Sequence, residues 1–119
     1  MYGARPFHEQ EHPELIKQVM RSYPFATLIV TKNNMPMVTH LPLLYDEEHN
    51  VIRGHIARDN PVASLDSNEP VSCMVLFQGP DAYVSAAWYP AKEETGRVVP
   101  TWNYVAVHVT GPLRIGKHI

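Results

Sequence analysis

Phe25-Ala26-Thr27-Leu28-Ile29-Val30-Thr31-Lys32-Asn33-Asn34-Met35-Pro36-Met37-Val38-Thr39-His40-Leu41-Pro42-Leu43-Leu44-Tyr45 is the stretch whose reading decides the fold. Its first seven residues are β-branched or apolar, and Lys32-Asn33-Asn34 has the chemistry of a hairpin turn. Met35 to Tyr45 reads as the return strand. Pro36 and Pro42 limit its ladder bonds and favour an edge strand or a bulge.

On the N-terminal side, Leu15, Ile16, Val19 and Met20 recur at the spacing of one helix face, which predicts a helix over 12–23 with Pro13 in its first turn and Pro24 as its stop. On the C-terminal side, a polar turn at Asp46 to Asn50 precedes a short strand carrying Val51, Ile52 and Ile56. Asn60-Pro61 ends that strand and caps a short helix over 61–68. Val71 to Phe77 is a nearly continuous apolar run of the kind found in a buried central strand, closed by Gly79-Pro80. Ala82 to Ala86 and Tyr104 to Val109 read as further strands, separated by a long polar loop from Trp88 to Pro100, and Leu113 to Ile115 starts a last strand. The sum is a mainly-β domain of six or seven antiparallel strands with one or two short helices, a barrel or roll rather than a doubly wound sheet.

With 119 residues, 45% hydrophobic and 18% charged, the chain has the size and balance of one globular domain. At this size an open sheet edge leaves a domain marginal without a partner, so a dimer is expected. The 10 Lys and Arg against 12 Asp and Glu are scattered, which argues against direct nucleic-acid contact, because phosphate recognition needs a concentrated basic face. Cys73 stands alone and cannot form an internal disulfide. No apolar run approaches a membrane span, and residues 1–11 lack a signal-peptide apolar region, so a cytoplasmic protein is expected.

The sequence has no glycine-rich phosphate loop, dinucleotide fingerprint, nucleophile elbow or paired cysteine set. The seven histidines are spread singly and read as satisfied or surface side chains. No residue has the neighbours of a tuned general base or nucleophile. No catalytic residue and no metal ligand are therefore assigned, and a binding protein is favoured over an enzyme.

Three stretches are unusual. Gly54-His55-Ile56-Ala57-Arg58-Asp59-Asn60-Pro61 is similar to a pattern HxAxxNP. Phe77 to Lys92, with Gly79-Pro80, Ala82-Tyr83-Val84-Ser85 and Trp88-Tyr89-Pro90, resembles FxGPxAYxSPxWYxxK. Val99-Pro100-Thr101-Trp102-Asn103-Tyr104-Val105-Ala106-Val107-His108 resembles VPTWNYxxVH without a break. Together they resemble the PaiB-type family of FMN-binding negative transcriptional regulators, over nearly the whole chain. Ala4, Pro6, Asp81 and Ala86 depart from the family's usual residues. The family also continues well past Gly111, so the resemblance implies one FMN-binding split-barrel domain over 1–119 that is shortened at its C-terminus.

The resemblance implies a split β-barrel, an FMN cofactor, a homodimer with two sites at its interface, and flavin contacts from His55, Ala57, Arg58, Asn60, Tyr83, Ser85, Trp88, Thr101, Trp102 and Asn103. FMN needs a cation and donors at its phosphate and apolar or amide groups at its ring. Arg58 offers a bidentate fork for the phosphate, and the start of the helix after Asn60 would add backbone N–H groups. Tyr83 and Ser85 alternate on one strand face, as do Thr101 and Asn103, with Trp102 on the other. The plainer alternatives are a surface ion pair for Arg58, a helix cap for Asn60, cross-strand packing for Tyr83 and Ser85, and core or interface roles for Trp88, Tyr89 and Trp102. Lys92 and Arg97 could approach a phosphate across the interface or be solvated loop charges.

A flavin-binding regulator acting through a metabolite or protein partner is the first expectation. Split-barrel relatives also include flavin-dependent oxidoreductases, such as pyridoxamine-phosphate oxidases and flavin reductases. Others handle haem, for which His55, His108 or His118 would ligate iron. A dimerising scaffold that has lost its cofactor is the blandest alternative.

Overall fold

The computed structural model describes residues 13–65, 71–84 and 101–116, with the backbone alone at 83–84 and 101–102. The helix α1 (Pro13–Ser22) is followed by strands β1 (Phe25–Lys32), β2 (Met35–Pro42), β3 (Leu44–Asp46) and β4 (Val51–Arg53), a 3₁₀ turn at Pro61–Ser64, and strands β5 (Val71–Val84) and β6 (Thr101–Leu113). Four strands form an antiparallel sheet in the order β2-β1-β5-β6, and β3 pairs with β4 in a second, two-stranded sheet. The protein is mainly β and antiparallel, an arrangement consistent with a split barrel.

The β1–β2 hairpin forms as its residues predict. Asn33 and Asn34 both have positive φ, 53° and 62°, and link Lys32 to its partner Met35 in the two-residue turn that matches the twist of paired strands. Along β1 the side chains of Ala26, Leu28 and Val30 are buried and alternate with less buried ones, so one face of the sheet makes the core. Val75 and Phe77 of β5, Leu41 of β2, and Leu43 and Val62 join them. Val19 and Met20 of α1 cover that face, with Ile16 packed beside them. Leu15, expected on the same stripe, is 50% exposed, because positions 16, 19 and 20 alone align with the core.

Several element boundaries differ from the sequence reading. β4 ends at Arg53, so Ile56 lies outside the strand expected to run to Asn60-Pro61. Residues 35–45 make two strands rather than one, divided at Leu43, whose amide bonds the Pro24 carbonyl at 2.8 Å and whose side chain is buried in the core. β5 runs on through Gly79-Pro80, absorbing them in a register shift between Gln78 and Asp81, so no separate strand starts at Ala82. β6 runs from Thr101 through Gly111-Pro112 to Leu113, so the strand expected from Leu113 is the end of β6.

The turn joining β3 to β4 fastens to α1 through charge. Glu47 accepts from Lys17 Nζ at 3.0 Å and from the Arg21 guanidinium. The hydrogen bond from Lys17, then that from Arg21, then their charges, hold the Glu47 carboxyl below its ordinary range. A depressed carboxylate contributes stability that is present above its unfolded-state pKa and lost as pH falls through the folded one. Glu47→Gln is therefore expected to lower the urea midpoint slightly at neutral pH, since exposed ion pairs are weak. It should match the parent once the pH is below the carboxylate range. A deficit of the same size at both pH values would show that the charge of Glu47 is not the cause.

Candidate functional site

Between β4 and the 3₁₀ turn, residues 54–60 form a braced corner. At Gly54 a Cβ would lie 2.5 Å from Leu43 Cδ2 and 3.1 Å from the Pro42 carbonyl oxygen, so a larger residue here would have to displace the Leu43 side chain and shift the end of β2. Ile56 tucks against the core while His55, Ala57, Arg58 and Asp59 are exposed. The Asn60 amide bonds the Ala57 carbonyl at 3.0 Å, which closes the turn that presents Arg58.

Asn60 is occupied on both sides of its amide. Its Oδ1 accepts from the Val62 amide at 2.9 Å, and its Nδ2 donates to Thr39 Oγ1 at 3.1 Å. The backbone donors expected after Asn60 are also consumed. Pro61 has no N–H, the Val62 amide goes to the Asn60 side chain, and the Ala63 amide bonds the Asn60 carbonyl at 2.9 Å. The helix expected over 61–68 is a single 3₁₀ turn of four residues, too short to gather a dipole. Asn60 thus caps and braces, and Arg58 carries the cationic character of the corner. Arg58 is exposed and forms no ion pair with the described residues. The carboxylate of Asp59 is its sequence neighbour and tempers the local field.

The other predicted contacts lie elsewhere. Tyr83 pairs with Trp102, Ala82 with Asn103 and Val84 with Thr101, at the far end of the β5–β6 ribbon. Asn103 is exposed. Ser85 and Trp88, like Lys92, Arg97 and His118, lie outside the described residues. Thr39 on β2 sits in one row with Leu28, Val75 and Val109, so the corner it braces and the β6 strand flank opposite edges of the four-stranded sheet, three strand spacings or about 14 Å apart. Asn103 lies a further six residues along β6, about 20 Å. Strand order and register thus keep the two clusters apart among the described residues of one chain. A groove of about 590 Å³ opens on the opposite face of the sheet, between Ile29, Thr31, Met74 and Thr110, and its lining includes no charged side chain.

The donor set at the corner suits a phosphate ester, since a guanidinium fork with no carboxylate partner among the described residues is the group that binds one best. Residues 1–118 match a family model described as "Putative FMN-binding domain". The chain belongs to this family. Within the FMN-binding-domain family, it is 42% identical over 90 residues to the protease synthase and sporulation protein PAI 2 of Bacillus subtilis, which takes in 73% of this chain and 40% of that protein. An uncharacterized protein of Saccharomyces cerevisiae is 43% identical over 82 residues, or 65% of this chain and 47% of its own length. Another, from Emericella nidulans, is 30% identical over 141 aligned positions, covering 93% of this chain and 55% of its own. The chain spans about half the length of the curated relatives it matches. The PaiB-type likeness read from the motifs is thereby borne out. Among the described residues no helix is long and apolar enough to cross a membrane.

Two features of the corner escaped the sequence reading. Thr39 is 21 residues away from Asn60, and a threonine in a strand carries no local mark of such a bond. The use of every amide after Asn60 follows from the cap geometry, which Asn60-Pro61 signals as a turn without saying where the asparagine side chain points.

Proposed function

We propose that this chain is the FMN-holding part of a PaiB-type regulatory flavoprotein, cytoplasmic and homodimeric, with Arg58 taking the flavin phosphate. The observation that carries the reading is Arg58 itself: exposed, without a carboxylate partner among the described residues, and presented by a turn fixed at both ends. When bound, FMN supplies the electron-transfer chemistry of its ring, and the protein supplies position and electrostatics. His55 and Ala57 flank the phosphate end. Tyr83, Ser85, Trp88, Thr101, Trp102 and Asn103 serve the ribityl and ring end, contributed by the second copy.

Two observations support a site shared between copies. Sheet order separates the two clusters within one chain. The ribbon of β5 and β6 also extends past the end of β1, with Tyr104 and Val105 47% and 40% exposed, and a two-stranded ribbon of this kind is marginal in water unless something covers it. Regulation runs through a metabolite or a protein partner rather than through DNA contact. The net charge is −2, and Lys17, Arg21 and Arg53 are neutralised by Glu47 and Asp46, so no basic face forms from them.

Titration of the purified chain with FMN and, separately, riboflavin tests this, followed by quenching of flavin fluorescence with sedimentation in parallel. FMN is expected to bind at least about tenfold more tightly than riboflavin, as one charge-assisted contact provides, on a particle of dimer mass. Equal affinity for the two flavins, or binding to neither, would refute the reading.

A further inference from the structure

We infer that Thr39, a residue of the edge strand with no place in the corner's own sequence, is a positioning residue that sets the preference for phosphorylated flavin. The inference rests on the proposed role of Arg58. Arg58 stands in the turn between Ala57 and Asn60, so its reach is fixed by whatever holds the two ends of that turn. On the leading side, three residues before Ala57, Gly54 passes close to Leu43 and Pro42. The trailing end is held by Asn60, whose two polar atoms pull in different directions. Oδ1 binds the amide of Val62, a residue with no exposed surface, and Nδ2 binds the Thr39 hydroxyl at 3.1 Å.

The first of these bonds is local and ties Asn60 only to the following turn. The second crosses to β2, which is paired with β1 along eight consecutive positions and is thereby part of the main sheet. Thr39 is half-buried on the core-side face, opposite the buried Leu28, so its hydroxyl sits on rigid ground. Without that hydroxyl, Asn60 keeps its cap but loses its strut. Its half-buried Nδ2 is left without this acceptor, and the turn carrying Arg58 is free to swing about the Val62 anchor. Misplacement of a bidentate cation by a fraction of its hydrogen-bond length weakens both arms together. The effect falls on the phosphate alone, because riboflavin has none.

The test compares FMN and riboflavin affinities for the parent chain, Thr39→Val and Thr39→Ser, with thermal unfolding of each as a control. Thr39→Val, nearly the same shape without the hydroxyl, is expected to lose about tenfold in FMN affinity, the worth of one hydrogen bond, with riboflavin affinity unchanged. Thr39→Ser, which keeps the acceptor, restores the preference. If Thr39→Val does not fold, Asn60→Ser makes the same cut from the other side, since serine caps a turn well but is too short to reach Thr39. A Thr39→Val or Asn60→Ser protein that still prefers FMN as the parent does overturns the inference and leaves the proposed function standing. A parent chain with no preference for FMN over riboflavin removes both.

Discussion

Arg58→Ala is expected to raise the Kd for FMN by about thirtyfold, equivalent to about 2 kcal/mol, while riboflavin binding stays within about twofold of the parent. Among the described residues the corner offers one cation, Arg58, because the Val62 and Ala63 amides that follow Asn60 are already bonded within the protein. A site with several donors would share the loss of one among the rest. Here the whole charge-assisted contribution goes with the side chain. Arg58→Lys should recover part of the affinity, since an ammonium restores the charge but not the planar fork. Isothermal titration at low ionic strength measures both variants, and raising the salt should narrow the gap between parent and Arg58→Ala as screening grows. An Arg58→Ala protein that binds FMN like the parent would move the phosphate site elsewhere.

The largest effect on stability is expected from Phe77→Ala. Phe77 has no exposed surface and is the largest side chain so enclosed among the described residues, lying next along the core face from Val75 on β5 and paired with Val107 of β6. Removing its ring deletes buried area and leaves a cavity that a sheet on one side and α1 on the other cannot close. The cost is about 3–5 kcal/mol, a large part of the roughly 5–15 kcal/mol that holds a domain of this kind together. Urea unfolding followed by far-ultraviolet circular dichroism should show the midpoint falling steeply, with Phe77→Leu in between. A loss below about 1 kcal/mol would mean that this end of the sheet is loosely packed.

These two residues differ in how far the sequence announces them. Phe77 ends the nearly apolar run that reads as a buried central strand, and with Val75 it is one of the two residues of that run that are buried. Arg58 is marked by the motif around it, but its lack of an ion pair among the described residues is not, because the partners of the other cations are chosen by the fold. Lys17 and Arg21 find Glu47 through the meeting of α1 with the β3–β4 turn, and Arg53 finds Asp46 within the β3–β4 hairpin. No spacing in the chain foretells those partners. The sequence also ends β5 too early at Gly79-Pro80. A glycine-proline pair breaks a strand on local grounds, and only the facing residues of β6 turn that break into a bulge.

By itself the chain determined whatever depends on neighbours within a turn or two: the Asn33-Asn34 hairpin with its positive φ angles, the Ile16, Val19 and Met20 face of α1, and the alternation that buries Ala26, Leu28 and Val30. Those features rest on steric and solvation preferences that each residue carries wherever it is placed. Strand order, the bond from Asn60 to Thr39, and the separation of the Arg58 corner from Asn103 were decided only by the tertiary structure. They depend on which distant segments lie side by side, a choice made by the burial of the whole apolar surface at once.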